Sequence, residues 1–179
     1  AVPAPSAAIA GYPDFEIVES APIETSLDHP DIRNAHDVWV EMIRGARRTL
    51  DFAEFYAVSQ AGARLEDVIA EIERAAARGV RVRFFCEKRF TTTYPETFAR
   101  LQTIKGSVQV LPIEFKKAAG GIHHAKYFVV DSAEVYLGSQ NFDWRSLEHI
   151  QEIGVRVRDS VFAYAFNGVY ATDWRLAKL

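Results

Sequence analysis

Residues 123–131 read HHAKYFVVD and residues 138–141 read GSQN, and the fold can be worked out from these two stretches. YFVVD is a short apolar run of strand type and EVYLG is another. Ser132 and Ala133 between them suit a tight turn, so the two runs read as a hairpin. A strand alternates its faces with period two. His124, Lys126 and Phe128 therefore share one side, while Ala125, Tyr127 and Val129 take the other. The neighbouring His123 falls opposite His124 and is expected to serve structure.

A neutral imidazole can attack phosphorus, and an ammonium can neutralise charge building on phosphoryl oxygens. Two residues apart on one strand face, His124 and Lys126 can meet the same ligand. Ser139 and Asn141 add a hydroxyl and a carboxamide, both able to donate to such oxygens. With five histidines in the chain, H-x-K-x4-D alone would arise by chance in roughly one such sequence in a hundred. Requiring G-S-x-N at a fixed short offset lowers that by about three orders of magnitude, so the two together mark a phosphate site. Its chemistry requires no metal and no other cofactor.

With His124, Lys126, Asp131, Gly138, Ser139 and Asn141 filling every position of those motifs, the chain resembles the phospholipase D superfamily. IVESAPIE near the start, GARRTLDFAEFYA in the first third and NFDWRSLEHIQEIGV after the motif look like its lumenal branch. That branch includes five-prime exonucleases of single-stranded nucleic acid. The likeness runs from about Phe15 onward, although residues 62–120 match only in helix and strand rhythm. His124 is read as the nucleophile, with Lys126 and Asn141 as phosphate ligands and Ser139 in support. The resemblance implies that Glu152 orients the nucleophilic histidine through its second ring nitrogen. It also implies that Asp131 is a structural partner or orienter, with catalytic participation left open by its place at the far end of the strand.

Glu54 sits in an otherwise apolar strand, where an unpaired ionised carboxylate is costly. It is expected either to face the cleft or to be salt-bridged. Arg145 and Trp144 in DWRSL either line the cleft or pack at a helix start. Lys116 and Lys117 either meet a phosphate backbone or are simply solvated. A serine hydrolase would need an elbow such as G-x-S-x-G, and a zinc site would need spacing such as H-E-x-x-H; neither occurs.

A chain of 179 residues with 49% hydrophobic content fits one domain with a real core. Residues 15–179 read as a single phospholipase D-like lobe with one HKD motif, preceded by a small-residue, Pro-rich disordered or linker segment over 1–14. The net charge of −3 argues against a broadly basic nucleic-acid coat, though not against a local cleft. No apolar run reaches the eighteen or so residues that span a bilayer, so no transmembrane segment is expected. Export to a periplasmic, extracellular or endolysosomal space is an expectation drawn mainly from the resemblance. Cys86 is the only cysteine, which excludes an internal disulfide, and VRVRFFC marks it as a buried thiol.

Helical spacing of Val38, Met42, Ile43 and Ala46 predicts a helix over 37–48 capped by Asn34. TLDFAEFYA reads as a strand, 65–77 as a helix stopped by Gly79, and VRVRFFC as the next strand, which implies a parallel crossover. After a break at 91–93 come a helix over 94–103, the strand SVQVLPI, the loop FKKAAGG and the hairpin. EIGVRVR is the last strand, and 161–176 closes as a helix with Phe162, Phe166 and Tyr170 on one stripe. The expected class is α/β, a mixed sheet sandwiched between helical layers.

These readings converge on a metal-independent phosphodiesterase with a phosphohistidine at His124, acting on single-stranded nucleic acid. Phospholipid hydrolysis or headgroup exchange, and a non-catalytic lobe of a two-lobed protein, are the alternatives. Two-step displacement needs two imidazoles in opposite protonation states, while His29, His36 and His149 lack a lysine at H-x-K spacing. The second is therefore expected from another HKD lobe, either a homodimer mate or a separate C-terminal chain.

Overall fold

Apolar alternation along the central strands sends side chains to two cores, and the helices follow them. The computed structural model describes residues 14–179; the expected N-terminal linker, up to residue 13, lies outside them. In chain order the elements are β1 (Phe15–Ser20), β2 (Arg33–Asn34), α1 (Ala35–Gly45), β3 (Thr49–Glu54), β4 (Ala57–Val58), α2 (Arg64–Ala77), β5 (Arg81–Glu87), α3 (Lys88–Thr93), α4 (Pro95–Gln102), β6 (Val108–Ile113), α5 (Phe115–Ala119), β7 (Tyr127–Val130), β8 (Glu134–Gly138), β9 (Phe142–Asp143), α6 (Trp144–Glu148), β10 (Glu152–Val157) and α7 (Ser160–Leu176).

Among the described residues, eight strands form one sheet in the order β2-β1-β10-β8-β7-β3-β5-β6, and β4 pairs with β9 beside it. β3, β5 and β6 run parallel. β7, β8 and β10 pair antiparallel, so the sheet is mixed as expected. Leu50, Phe52, Phe84 and Phe128 pack with Trp39, Met42, Leu65 and Ile69 of α1 and α2 on one face. Ala53, Phe85, Tyr127 and Val129 pack with Tyr170 and Trp174 of α7 on the other. Helices thus cover both faces. Cys86 is buried in the first core, and burial pushes its thiol well above the ordinary range.

Asn34 caps α1 as expected, accepting from the His36 N–H at 3.1 Å. Three local expectations give way. The break placed at 91–93 lies inside α3, where the hydroxyls are accommodated against the preceding turn: Thr91 donates to the Lys88 carbonyl and Thr93 to that of Arg89. The segment FKKAAGG holds the short helix α5, closed by Gly120 in the left-handed region at φ 75°. His124 and Lys126 precede β7 rather than sitting within it. The alternation nevertheless extends back to them: the His123 ring lies 4.9 Å from that of Phe85 on the α7 side, and the His124 ring takes the other side.

Asp131 marks the opposite end of β7, and the contacts it makes there are structural. Seven residues of chain, at about 3.3 Å each, put it roughly 20 Å from His124. Its Oδ1 accepts from the Arg48 and Thr49 N–H groups at 2.7 and 2.8 Å, and its Oδ2 from that of Arg47 at 2.9 Å. These bonds tie the turn after β7 to the entry of β3. Asp131 itself adopts φ 54°, a left-handed conformation that Asp and Asn tolerate. Asp131→Ala is expected to lower stability by about 3 kcal/mol, the worth of charge-assisted bonds of which some are partly solvated. Asp131→Asn should lose less, since its remaining oxygen still accepts. Urea unfolding checks both, and equal midpoints for wild type and Asp131→Ala would contradict the assignment.

Candidate active site

The ends of β3 and β5, the approach to β7, and the turn between β8 and β10 meet at one edge of the sheet. Glu87, at the end of β5, is buried and accepts the His123 N–H through Oε2 at 3.0 Å, which fixes the chain as it enters the motif. His123 then turns inward and His124 outward. Burial pushes His123 down to about 4. The neutral form is therefore favoured, and the ring faces away from the site toward Phe85.

The Lys126 Nζ lies 3.2 Å from Nδ1 and 3.4 Å from Nε2 of His124, and donates to the His124 carbonyl at 2.9 Å. The imidazole is exposed and rests at 4.3 Å against the Phe55 ring. Partial burial, then the Lys126 charge, hold it below the usual histidine range, which favours the neutral form. Burial also lowers Lys126, while Glu54 and Glu152 pull it back up.

The hairpin register carries the second motif to this spot. Tyr127 pairs with Leu137, and one step further the Gly138 N–H donates to the Lys126 carbonyl at 3.2 Å. Gly138 also faces Gly154 across the β8–β10 pair. A Cβ on Gly138 would stand 2.8 Å from the Gly154 Cα and strike the Gln140 side chain, so this position requires glycine. Ser139 is exposed, and its N–H donates to the Ile153 carbonyl at 3.1 Å. The Asn141 N–H donates to Ser146 Oγ at 3.2 Å, whereas its side-chain Oδ1 is buried with no protein partner.

Glu152 makes no hydrogen bond to His124. Burial raises its carboxyl, the Ser146 hydroxyl and Lys126 pull it back down, and its Oε2 is left without a partner. Glu54 is neither salt-bridged nor lining a cleft. It is 1% exposed beneath the site, one oxygen unpartnered, and burial raises it well above the carboxylate range despite the opposing pull of Lys126. Arg145 is half-exposed and forked onto buried Asp143, with NH2 to Oδ2 at 2.6 Å and Nε to Oδ1 at 3.0 Å. Lys116 and Lys117 are exposed on α5.

Sequence reading brought His124, Lys126, Ser139, Asn141 and Glu152 to one edge and missed Glu87, Asp143 and Ser146. Glu87 carried a signal: like Glu54, it is a carboxylate closing an apolar strand. Asp143 carried another, standing just before a helix, where it caps α6 by accepting the Arg145 N–H at 2.8 Å. Among the described residues, no three His, Cys, Asp or Glu side chains gather as a metal would require, and no helix is long and apolar enough to cross a membrane.

Comparison with known proteins places this arrangement. The chain is 32% identical over 180 residues to the 5'-3' exonuclease PLD3 of Bos taurus, a match that takes in 90% of the chain and 35% of the relative. It is 33% identical over 151 residues to Phospholipase D Z of Dictyostelium discoideum, covering 79% of the chain and again 35% of the relative. The chain thus spans about a third of the length of these relatives. The crystal structure of Nuc from Salmonella typhimurium, a phospholipase D family member, shares the fold with a TM-score of 0.69 at 21% identity, covering 90% of this chain and 94% of that one. The family described as cardiolipin synthase, PLD-like domain, matches residues 39–174, and the chain therefore belongs to the PLD-like domain family of the phospholipase D superfamily.

Proposed function

We propose that this lobe hydrolyses phosphodiesters through a covalent phosphohistidine at His124, and that its substrate is single-stranded nucleic acid. The observation that carries the proposal is the convergence of an exposed imidazole held below its usual range with an ammonium 3.2 Å away and the G-S-x-N turn beside it. In the first step the neutral His124 nitrogen attacks phosphorus and the bond to the leaving oxygen breaks. That oxygen takes a proton from a second, charged imidazole. In the second step the same imidazole, now neutral, takes a proton from water. The water oxygen attacks phosphorus and the phosphorus–nitrogen bond breaks.

Lys126, Asn141 and Ser139 are the groups assigned to the phosphoryl oxygens. An arriving phosphate replaces the imidazole as the partner of the Lys126 ammonium, so charge is met where it builds. The nucleic-acid reading is supported by the likeness to a 5'-3' exonuclease.

Neutral, inward-facing His123 does not suit the role of proton donor. The second imidazole is assigned to another HKD lobe, from a twofold mate or a separate C-terminal chain. Two features support this. The first is Ile153, whose carbonyl accepts the Ser139 N–H and whose side chain is 62% exposed, with Ile150 just before it 41% exposed, apolar surface suited to burial against a partner. The second is Glu152, a carboxylate beside this turn whose buried Oε2 has no partner within the lobe, so an imidazole could take it once the interface forms and the side chain turns outward.

Activity is expected to persist in excess chelator, and a loss restored by a divalent ion would overturn the mechanism. His124→Ala should abolish turnover while leaving the unfolding free energy from urea titration within about 0.5 kcal/mol of wild type, as befits an exposed side chain. Mass spectrometry of acid-sensitive, base-tolerant adducts in quenched reactions should place phosphate on His124; phosphate on Ser139 would reassign the nucleophile.

The rate should be bell-shaped in pH. Because His124 is held below the ordinary 6.5, it stays neutral into mild acid, so the acid limb should fall below that value. The alkaline limb reports loss of the second imidazole's proton. A profile that shows neither an acid nor an alkaline limb would count against two histidines. Sedimentation at assay concentration should find activity only in an assembly with a second lobe, and a fully active lone monomer would refute the composite site.

A further inference from the structure

Four aromatic rings stand beside His124 and reach to Asp143, just after the G-S-x-N turn, and the phosphate chemistry uses none of them. Phe55 touches the His124 ring at 4.3 Å and meets Phe90 at 4.5 Å. Tyr56 lies 5.4 Å from Phe90 and 5.8 Å from Tyr94. Phe90 and Tyr94 lie within 7° of parallel, 6.4 Å apart. Unlike Phe52, Phe84 and Phe128, which are at most 1% exposed in the core, all four are only half-buried. Phe90 belongs to α3, a helix with no buried residue at all, so core packing does not explain why a large ring is kept there.

The rings are also held in place. The Tyr56 hydroxyl donates to Asp143 at 2.8 Å, and Asp143 is fully buried. Arg145, forked onto the same carboxylate, interacts with Tyr94. The Arg89 guanidinium lies 5.7 Å from the Phe90 ring centre. Half-exposed rings, two of them bearing hydroxyl groups, with flanking guanidinium groups make a platform for flat, polar-edged π systems strung on an anionic backbone. An acyl chain would be served better by a continuous aliphatic groove.

We propose that Phe55, Tyr56, Phe90 and Tyr94 form a base-stacking platform that receives an unpaired nucleobase next to the phosphate held by His124 and Lys126, with Arg145 and Arg89 steering the strand. Duplex DNA keeps its bases stacked on each other, so the platform selects single strands. This inference rests on the nucleic-acid reading above and adds a specificity site to it.

The test measures fluorescence anisotropy of a labelled oligothymidylate and of an abasic oligomer of equal length, which keeps the phosphates and removes the bases. It uses the His124→Ala protein, assembled with its second lobe, so that no strand is cut. The protein is expected to bind the base-bearing strand about tenfold tighter, the worth of one base–aromatic stack. Phe90→Leu with Tyr94→Leu should remove that preference and leave abasic binding unchanged. Tyr94→Phe should retain the preference, and the single Tyr94→Leu variant should reduce it, which covers the case in which the double variant does not fold. Equal binding of both oligomers, or a preference untouched by Tyr94→Leu, would overturn the platform while leaving the nucleic-acid reading in place. Failure to bind either oligomer, with retention on phosphatidylglycerol vesicles, would overturn both.

Discussion

The placement of β7 is the constraint on which the site depends. This strand lies between β3 and β8, antiparallel to each, and its side chains feed both cores, so a one-residue slip would invert them. At one end the Asp131 carboxylate gathers three backbone N–H groups from the entry of β3. At the other, Glu87 holds the His123 N–H. These two anchors and the pairing between them fix the register, and the alternation carries His123 and His124 to opposite sides. The close approach of Gly138 to Gly154 then brings the G-S-x-N turn against Lys126.

Around this frame the protein spends stability on polarity. Glu54 and Glu152 each bury a carboxylate oxygen without a partner, and both are raised by desolvation. Such groups are costly in a core, yet both lie within the field of Lys126, whose own charge they support. Strain and unmet polarity of this kind gather where a ligand or partner completes the set. The buried Asp51 shows the contrasting, matched case. Asp51 takes two bonds from Arg83 at 2.6 and 2.7 Å, and the guanidinium stacks on Tyr170 of α7.

Much of the architecture was legible because period is a local property. The spacing of Val38, Met42 and Ile43 marked α1, and the alternation in TLDFAE, VRVRFFC and YFVV marked the three strands that carry both cores. What escaped were elements whose existence depends on partners distant in sequence. β2 and the β4–β9 pair are two-residue strands that only pairing defines. The threonines of α3 looked like a break because their intrinsic preference is weak, and the ring contacts of Phe90 with Phe55 and Tyr94 belong to tertiary packing that local preference does not show.

The sequence by itself determined the class of fold, the two motifs and the side of the strand on which His124 and Lys126 emerge, since residue type, spacing and strand parity are properties of the chain alone. Only the tertiary structure decided that Asp131 anchors a turn far from the histidine, that Glu54 lies buried beneath the site, and that Phe55, Tyr56, Phe90 and Tyr94 meet beside it. The physical reason is that burial and contact are set by which segments pack together. A carboxylate has no environment, and a ring has no neighbour, until long-range pairing brings β3, β5 and β7 side by side.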